Sequence, residues 1–134
     1  MVTLDAVEVI VGLVQDPGFG PVVVFGSGGV LVELLGDSSL RLPPLSREEA
    51  LEMIHETRGA RQLRGFRGRP PADVDALADA LVRFSQLAVD LGDLIAALDV
   101  NPLMVLPAGR GVLAVDALVE LRSSATHSLT TSRG

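Results

Sequence analysis

The apolar and polar positions at the start of the chain predict a strand, a turn and a second strand. Val7 to Val14 is an apolar run rich in β-branched residues, with the length of a central strand. Residues 15–20 contain Asp-Pro and two glycines, which is typical of a turn. Pro21 to Phe25 is the second apolar run. Because the connection is so short, the two strands are expected to pair antiparallel.

Two helices are predicted in the middle of the chain. Ser46 and Glu49 have the spacing of a capping box, and the helix that follows reaches Glu56. Its buried side is expected to carry Ala50, Leu51 and Ile54. Apolar residues then recur every three and four positions over residues 73–91, which predicts a longer helix ended by Gly92. Residues 58–71, with five arginines, are expected to form a loop that serves the fold more than a binding site.

The stretch over residues 98–117 carries the strongest candidate site and is predicted to form two short strands joined by a turn. Asp99 and Asn101 are two residues apart, so on a strand both side chains point to one face. A turn near residue 108 brings Asn101 opposite Asp116, and oxygen ligands of this kind suit Mg²⁺. On spacing alone, a turn signal at Asn101-Pro102 beside a solvated acid is the favoured interpretation.

Glycines directly after the second strand form another candidate site. In the sequence Gly26, Ser27, Gly28 and Gly29, backbone N–H groups can approach an anion closely and hold a phosphate. Alone, such a sequence more often marks an ordinary glycine-rich turn after a strand. The sequence around it has to decide between the two interpretations.

Composition excludes several classes of protein. The chain has 134 residues, enough for one domain, with 48% apolar and 21% charged residues, as in a globular protein. A net charge of −6 without a basic patch argues against nucleic-acid binding. No apolar run approaches the length of a membrane span. Cysteine is absent, which fits a reducing, cytoplasmic location, and the absence of lysine excludes a P-loop.

The order of the predicted elements indicates the fold class. Strands at both ends with two helices between them predict an α+β or α/β fold with a mainly antiparallel sheet backed by helices. We expect residues 1–122 to form this domain. Residues 123–134 are polar and are expected to be a disordered tail.

Three motifs resemble one known family. Residues 99–103, Asp-Val-Asn-Pro-Leu, followed by a hairpin and Val-Asp-Ala, look like the Mg-ATP strand pair of the ATP-grasp domain. Residues 26–35 resemble that family's Gly-x-Gly-Gly and Val-Leu-Val-Glu-Leu segment, and residues 65–71 its Gly-Tyr-Arg-Gly-x-Pro-Pro run, with Phe for Tyr. The resemblance covers residues 6–121. It is to the C-terminal part of the ATP-grasp domain of NDP-forming acyl-CoA synthetases, and more distantly to the succinyl-CoA synthetase beta subunit.

The resemblance implies the second half of an ATP-grasp domain, in which ATP lies between this sheet and a first subdomain. It implies ATP and Mg²⁺ as cofactors, with CoA for the full-length family, and conversion of acid, CoA and ATP to acyl-CoA, ADP and phosphate. Asn101 and Asp116 would hold Mg²⁺, with Asp99 as a further candidate ligand. Residues 26–29 would lie near the phosphates. Glu8 would face the nucleotide cleft, although a polar position on a half-exposed strand explains it equally well, and no catalytic residue is assigned.

The chain also departs from the family pattern. It contains no counterpart of the lysine-bearing first ATP-grasp subdomain, the CoA-binding domain or the phosphohistidine segment, so we expect it to be inactive alone. Those domains would be partners in cis or in trans, and the chain would be a fragment or half of a split enzyme. The alternatives are a non-catalytic half-domain that binds a partner chain or a second copy, and a fragment of an acetyltransferase with a synthetase-like region.

Overall fold

The computed structural model describes residues 6–27, 37–65 and 68–122. Strands and helices follow one another in the order β1 (Val7–Asp16), β2 (Gly20–Ser27), β3 (Ser38–Arg41), α1 (Arg47–His55), a 3₁₀ helix (Arg58–Arg64), α2 (Val74–Leu91), β4 (Ile95–Val105), β5 (Val112–Ala114) and β6 (Ala117–Leu121). Within these ranges, no helix is long and apolar enough to cross a membrane.

The strands form one sheet in the order β3-β2-β1-β4-β5, with β6 also paired to β4. Every described pairing is antiparallel. The expected antiparallel sheet backed by helices is therefore confirmed. The pair β1–β2 forms because the turn at residues 17–19 connects two apolar strands with a single reversal of the chain.

One face of the sheet packs against the helices. Alternation along β1 and β2 directs every second side chain to this face, where α1 and α2 cover it. The largest buried side chains of this core are Phe25, Met53, Ile54, Leu77, Leu81, Val23 and Val105. A smaller cluster of Leu13, Ala88, Ile95 and Leu98 continues it at the other end of β1. The opposite face of the sheet carries no described helix.

The predicted helices are confirmed, with adjustments at single residues. The Ser46 hydroxyl accepts from the Glu49 N–H at 3.0 Å, and a Glu49 carboxylate oxygen accepts from the Ser46 N–H at 2.9 Å, which completes the capping box. In α1 the third buried residue is Met53, whereas Leu51 is only partly buried. In α2 the periodic apolar pattern extends to Leu91, but this last residue is exposed because the helix ends there at the surface.

Two sequence expectations were wrong in part. Residues 58–64 form a 3₁₀ helix instead of a loop, and Leu63 is its buried residue. The stretch over residues 98–117 forms three strands instead of two, because pairing is interrupted between β5 and β6 at residues 115–116. The interruption lies beside a register shift in the neighbouring strand, which is described below. Residues 123–134, the expected tail, lie outside the described residues.

A side-chain contact fixes the start of β4 relative to β1. The Gln15 amide nitrogen donates to the carbonyls of Gly92 and Ile95, each at 2.8 Å. These bonds satisfy carbonyl groups at the turn between α2 and β4. These bonds therefore fix the register of β4 against β1 at this end. That register sets the geometry of the open face.

Candidate functional site

A cleft of about 310 Å³ crosses the open face of the sheet from β3 to β4. Apolar side chains and glycines form its floor, and polar residues lie towards its two ends. The residues that line it include Ile10, Gly12, Val24, Gly26, Ser38, Ala97, Asp99 and Asn101. The cleft thus combines an apolar surface with a few oxygen-bearing groups, as small-molecule sites do.

Strand register places the predicted residues in cross-strand rows. Ser38 pairs with Gly26, and Gly26 pairs with Ile10. The pairing of β1 with β4 shifts by one residue here, so Ile10 lies opposite Asn101 and Pro102 together. Since neighbouring strands are spaced by about 4.8 Å, Gly26 and Asn101 lie roughly 10 Å apart across one row.

Asn101 and Asp116 come together at the β4 end of this row. The Asn101 N–H donates to the Asp116 carbonyl at 3.0 Å, and the Val115 N–H donates to the Pro102 carbonyl at 3.0 Å. These two bonds connect the β4 register shift to the break between β5 and β6. The predicted juxtaposition of Asn101 and Asp116 is therefore present in the fold, and both residues are exposed. Their role as metal ligands stays a prediction.

Asp99 lies in the next row, paired with Gly12 of β1. A Cβ placed on Gly12 would lie 4.0 Å from the Asp99 Oδ1 and 4.0 Å from the Val24 Cβ. The Asp99 carboxylate therefore extends beside the glycine on the floor of the cleft. Asp99 and Asn101 both line the cleft, as their spacing on a strand predicts.

The oxygen donors of this site suit Mg²⁺, which needs few protein ligands, better than a metal ion that is coordinated by protein side chains alone. Among the described residues there is no group of three His, Cys, Asp or Glu side chains that could enclose a metal ion. Asn101 and Asp99 offer an amide and a carboxylate in the cleft, while Asp116, which is hydrogen-bonded to Asn101 through its backbone carbonyl, is exposed and not among the residues that line the cleft. Mg²⁺ takes one or two carboxylates and completes its shell with water and phosphate oxygens. This donor set therefore suits a metal that arrives with a nucleotide.

The other predicted site residues have different positions. Glu8 is exposed, pairs with Met104, and is not among the residues that line the cleft. Gly26 lines the cleft, whereas the Ser27 hydroxyl donates to the Asp37 carboxylate at 2.6 Å. Gly28 and Gly29 lie outside the described residues, so the structure does not test their part in phosphate binding.

Sequence reasoning missed Gly12 and Ser38. A glycine inside a long β-branched strand is itself a signal, because it weakens the strand unless a ligand or another backbone has to come close. In this chain Gly12 opens the floor of the cleft between Val24 and Asp99. Ser38 carried no comparable signal, because its position depends on pairing with Gly26 twelve residues earlier.

Asp73 connects the start of α2 to the turn between β4 and β5, and neither that turn nor Asp73 lines the cleft. As the N-cap of α2 it accepts from the Ala76 N–H at 3.1 Å, and its other oxygen accepts from Gly109 at 3.0 Å and Gly111 at 2.8 Å. Both glycines have positive φ, which this turn requires. The bond from Gly111, followed by those from Ala76 and Gly109, keeps the pKa of Asp73 below its usual range despite partial burial.

The fold and the cleft together define the class of protein. Residues 1–121 match the family model described as the ATP-grasp domain. The chain therefore belongs to the ATP-grasp family.

Within this family the chain is similar to ADP-forming acyl-CoA ligases. It is 48% identical over 106 residues to acetate–CoA ligase [ADP-forming] I of Archaeoglobus fulgidus, covering 79% of this chain and 15% of the relative. It is 46% identical over 110 residues to the acetate–CoA ligase [ADP-forming] I subunit beta of Pyrococcus furiosus, covering 82% and 46% respectively. The chain thus spans less than half of these curated relatives.

A solved structure gives the same assignment. The acetyl-coenzyme A synthetase 1 of Candidatus Korarchaeum cryptofilum, in complex with coenzyme A and Mg-AMPPCP, is 46% identical and superposes with a TM-score of 0.80. The match covers 87% of this chain and 53% of that chain. The described fold is therefore that of a portion of an ATP-grasp acyl-CoA synthetase.

Proposed function

We propose that this chain supplies one wall of the Mg-ATP site of an ADP-forming acyl-CoA ligase. The observation that carries the proposal is the pairing of Asn101 with Asp116 at the end of an apolar cleft lined by two glycines. Oxygen donors at one end and close backbone approach along the floor are what a metal-bound chain of phosphates requires. Asp99 adds a carboxylate in the adjacent row.

In this proposal the residues of the chain bind and orient the nucleotide, and the metal ion supplies positive charge. Mg²⁺, when bound, neutralises the charge that develops as the γ-phosphoryl group leaves. Asn101 and Asp116 would hold it through amide and carboxylate oxygens, with Asp99 as the further ligand. Ile10 and Val24 exclude water from the floor of the cleft, while Gly12 and Gly26 leave room for the nucleotide.

The overall reaction proposed is that of the relatives' names: an acid, CoA and ATP give an acyl-CoA, ADP and phosphate. The lysine-bearing ATP-grasp subdomain and the CoA-binding domain would act with this chain in cis or in trans. This assignment is supported by the limited coverage, because the chain spans 15% of one relative and 46% of another. Since ATP and CoA are its substrates, we place the protein in the cytoplasm.

The proposal is tested by titrating the purified chain with Mg-AMPPCP and following backbone amides by NMR, which detects millimolar affinities. We expect the Gly12 and Gly26 amides to shift in a saturable way, with weaker binding in EDTA. Asp116→Ala should weaken binding at least tenfold because it removes a metal ligand. Asp90→Ala, on the exposed face of α2, is the matched control and should bind like the parent.

Two results would contradict the proposal. One is the absence of any saturable shift at Gly12 and Gly26 at millimolar Mg-AMPPCP. The other is a shift that survives unchanged in both Asp116→Ala and Asn101→Ala, because the nucleotide would then bind without the residues assigned to it.

A second candidate function is a partner-binding half-domain without catalysis. It is favoured by exposed apolar residues on the open face, where Leu40, Leu113 and Leu118 are each more than half exposed. The partner we infer is the other part of an ATP-grasp domain, because that is the polypeptide which faces this sheet in a two-part nucleotide site. Co-purification with the unmatched part of the Pyrococcus furiosus beta subunit, without nucleotide binding by the pair, would favour this candidate over the first. The acetyltransferase alternative gains no support from the relatives named above.

A further inference from the structure

The Asp37 side chain accepts three hydrogen bonds at the β3 end of the cleft. Its Oδ2 accepts from the Ser27 hydroxyl at 2.6 Å and from the Gly59 N–H at 3.0 Å, and its Oδ1 accepts from the Arg58 N–H at 2.6 Å. Its carbonyl accepts from the Ser27 N–H at 3.4 Å. One residue thus connects the end of β2, the start of β3 and the start of the 3₁₀ helix.

The 3₁₀ helix depends on Asp37 for its N-terminal amides. Its N-cap residue, Thr57, makes no side-chain capping bond, because the Thr57 hydroxyl donates to the Ile54 carbonyl at 2.9 Å. The carboxylate of Asp37 accepts from the two amides that follow, at Arg58 and Gly59. An acceptor at this place satisfies N–H groups that a helix start leaves unpaired.

The carboxylate is charged at neutral pH. Burial raises the pKa of Asp37. The hydrogen bonds from Ser27, Arg58 and Gly59, together with the positive charge of Arg58, lower the pKa by more than burial raises it, so the net pKa is below its usual range. A charged acceptor makes these hydrogen bonds stronger than neutral ones.

The contacts of Asp37 flank the cleft directly. Gly26 and Ser38, the neighbours of Ser27 and Asp37, both line the cleft and are register partners. Gly26 also shares its cross-strand row with Asn101. A rotation of the β2 end would therefore move Gly26 relative to the oxygen donors at the other end of the same row.

We propose that Asp37 is a positioning residue for the nucleotide cleft, which holds the Gly26–Ser38 end at a fixed distance from Asn101 and Asp116. Asp37 itself is not among the residues that line the cleft; it acts through Ser27 and the 3₁₀ helix. This inference rests on the proposed function, because the ligand whose binding it affects is the magnesium nucleotide.

Asp73 provides a matched control for Asp37. Each carboxylate accepts three hydrogen bonds, at least two of them from backbone amides, and each has a lowered pKa. Neither Asp73 nor its three donors line the cleft. A loss of stability alone should therefore appear in both variants, whereas a loss of cleft geometry should appear only at Asp37.

The experiment compares Asp37→Asn with Asp73→Asn by urea unfolding and by NMR titration with Mg-AMPPCP. We expect both variants to lose stability, and only Asp37→Asn to weaken binding, by at least fivefold. The Gly26 and Ser38 amides should already shift in Asp37→Asn without nucleotide. Asp37→Ser is a second variant, which keeps one acceptor oxygen on a shorter, uncharged side chain, and it should weaken binding in the same way.

Three results would overturn the inference. If Asp37→Asn and Asp37→Ser bind like the parent, the contacts of Asp37 are structural only. If Asp73→Asn weakens binding equally, the effect is general destabilisation. If the parent itself shows no saturable binding, the proposed function fails and this inference fails with it, so the parent titration separates the two failures.

Discussion

Both faces of the sheet carry apolar side chains, but their surroundings differ. On the helix-covered face, Val23 and Phe25 are at most 1% exposed. On the open face, Leu40 and Leu118 are 57% and 61% exposed. Both lie in one cross-strand row with Gly12 on the floor of the cleft. In an antiparallel sheet with one face in water, the side chains on that face are normally polar. Among the described residues, the open face therefore exposes more apolar side chain than the covered face, in agreement with the binding surface proposed above.

The comparison separates what stabilises the chain from what it binds. Burial under α1 and α2 stabilises the fold, and deleting side chains there leaves cavities. On the open face, exposed groups such as Leu40 and Leu118 add little to stability, because they are not buried against other described residues. Substitutions on the two faces should therefore affect different measurements.

The largest expected effect is on the covered face. Leu81→Ala should reduce the free energy of unfolding by about 2–5 kcal/mol, because Leu81 is fully buried in the core. Leu118→Ala, the same substitution on the open face, should change it by no more than about 0.5 kcal/mol. Urea unfolding of both variants tests this difference. Equal losses would show that the open face is buried in solution.

The next largest effect is expected at Asp73, whose carboxylate connects the start of α2 to the β4–β5 turn by hydrogen bonds. Asp73→Ala removes a helix cap and two bonds to Gly109 and Gly111, and should cost about 2 kcal/mol of unfolding free energy. Asp90→Ala, an exposed acid on the same helix, should have little effect. A loss in Asp73→Ala no larger than in that control would mean that the hairpin is held by its other contacts.

A smaller effect, of opposite sign for stability and binding, is expected at Gly12. A Cβ on Gly12 meets its nearest neighbour, the Leu98 carbonyl oxygen, at 3.4 Å, and its φ is ordinary, so a side chain is tolerated. Gly12→Val should hold or raise stability, because valine favours strands, and should weaken Mg-AMPPCP binding about tenfold, which is about 1.4 kcal/mol. Thermal unfolding and NMR titration measure the two quantities. Binding that stays at the parental level would place the nucleotide elsewhere.

The smallest effect concerns acid pH, since both groups involved lie near solvent. The folded pKa values of Asp37 and Asp73 lie below the unfolded value of about 3.9, so their stabilisation is present above that pH and is lost as the pH falls through the folded values. Unfolding measured from pH 6 to pH 2 should show a shallower decline in Asp73→Asn than in the parent. Parallel curves would refute the assignment for Asp73.

Much of the secondary structure could be predicted from local pattern. The apolar runs of β1 and β2, the Ser46–Glu49 capping box and the periodicity of α2 depend on residues close in sequence, and each was found. The motif at residues 99–103 also indicated the family. The 3₁₀ helix was missed because five arginines favour a solvated loop, and its amides are satisfied by Asp37, 21 residues earlier.

By itself, the sequence determined the strand and helix periodicity, the antiparallel class and the residues that identify the ATP-grasp family. Only the tertiary structure decided which face of the sheet stays open, that Ile10 lies opposite both Asn101 and Pro102, and that Asp37 and Asp73 accept hydrogen bonds from amides far away in the sequence. The physical reason is the distance along the sequence over which the interactions act. Periodicity reports the burial of a residue relative to its neighbours in sequence, whereas register and hydrogen bonds between distant residues depend on the path of the whole chain.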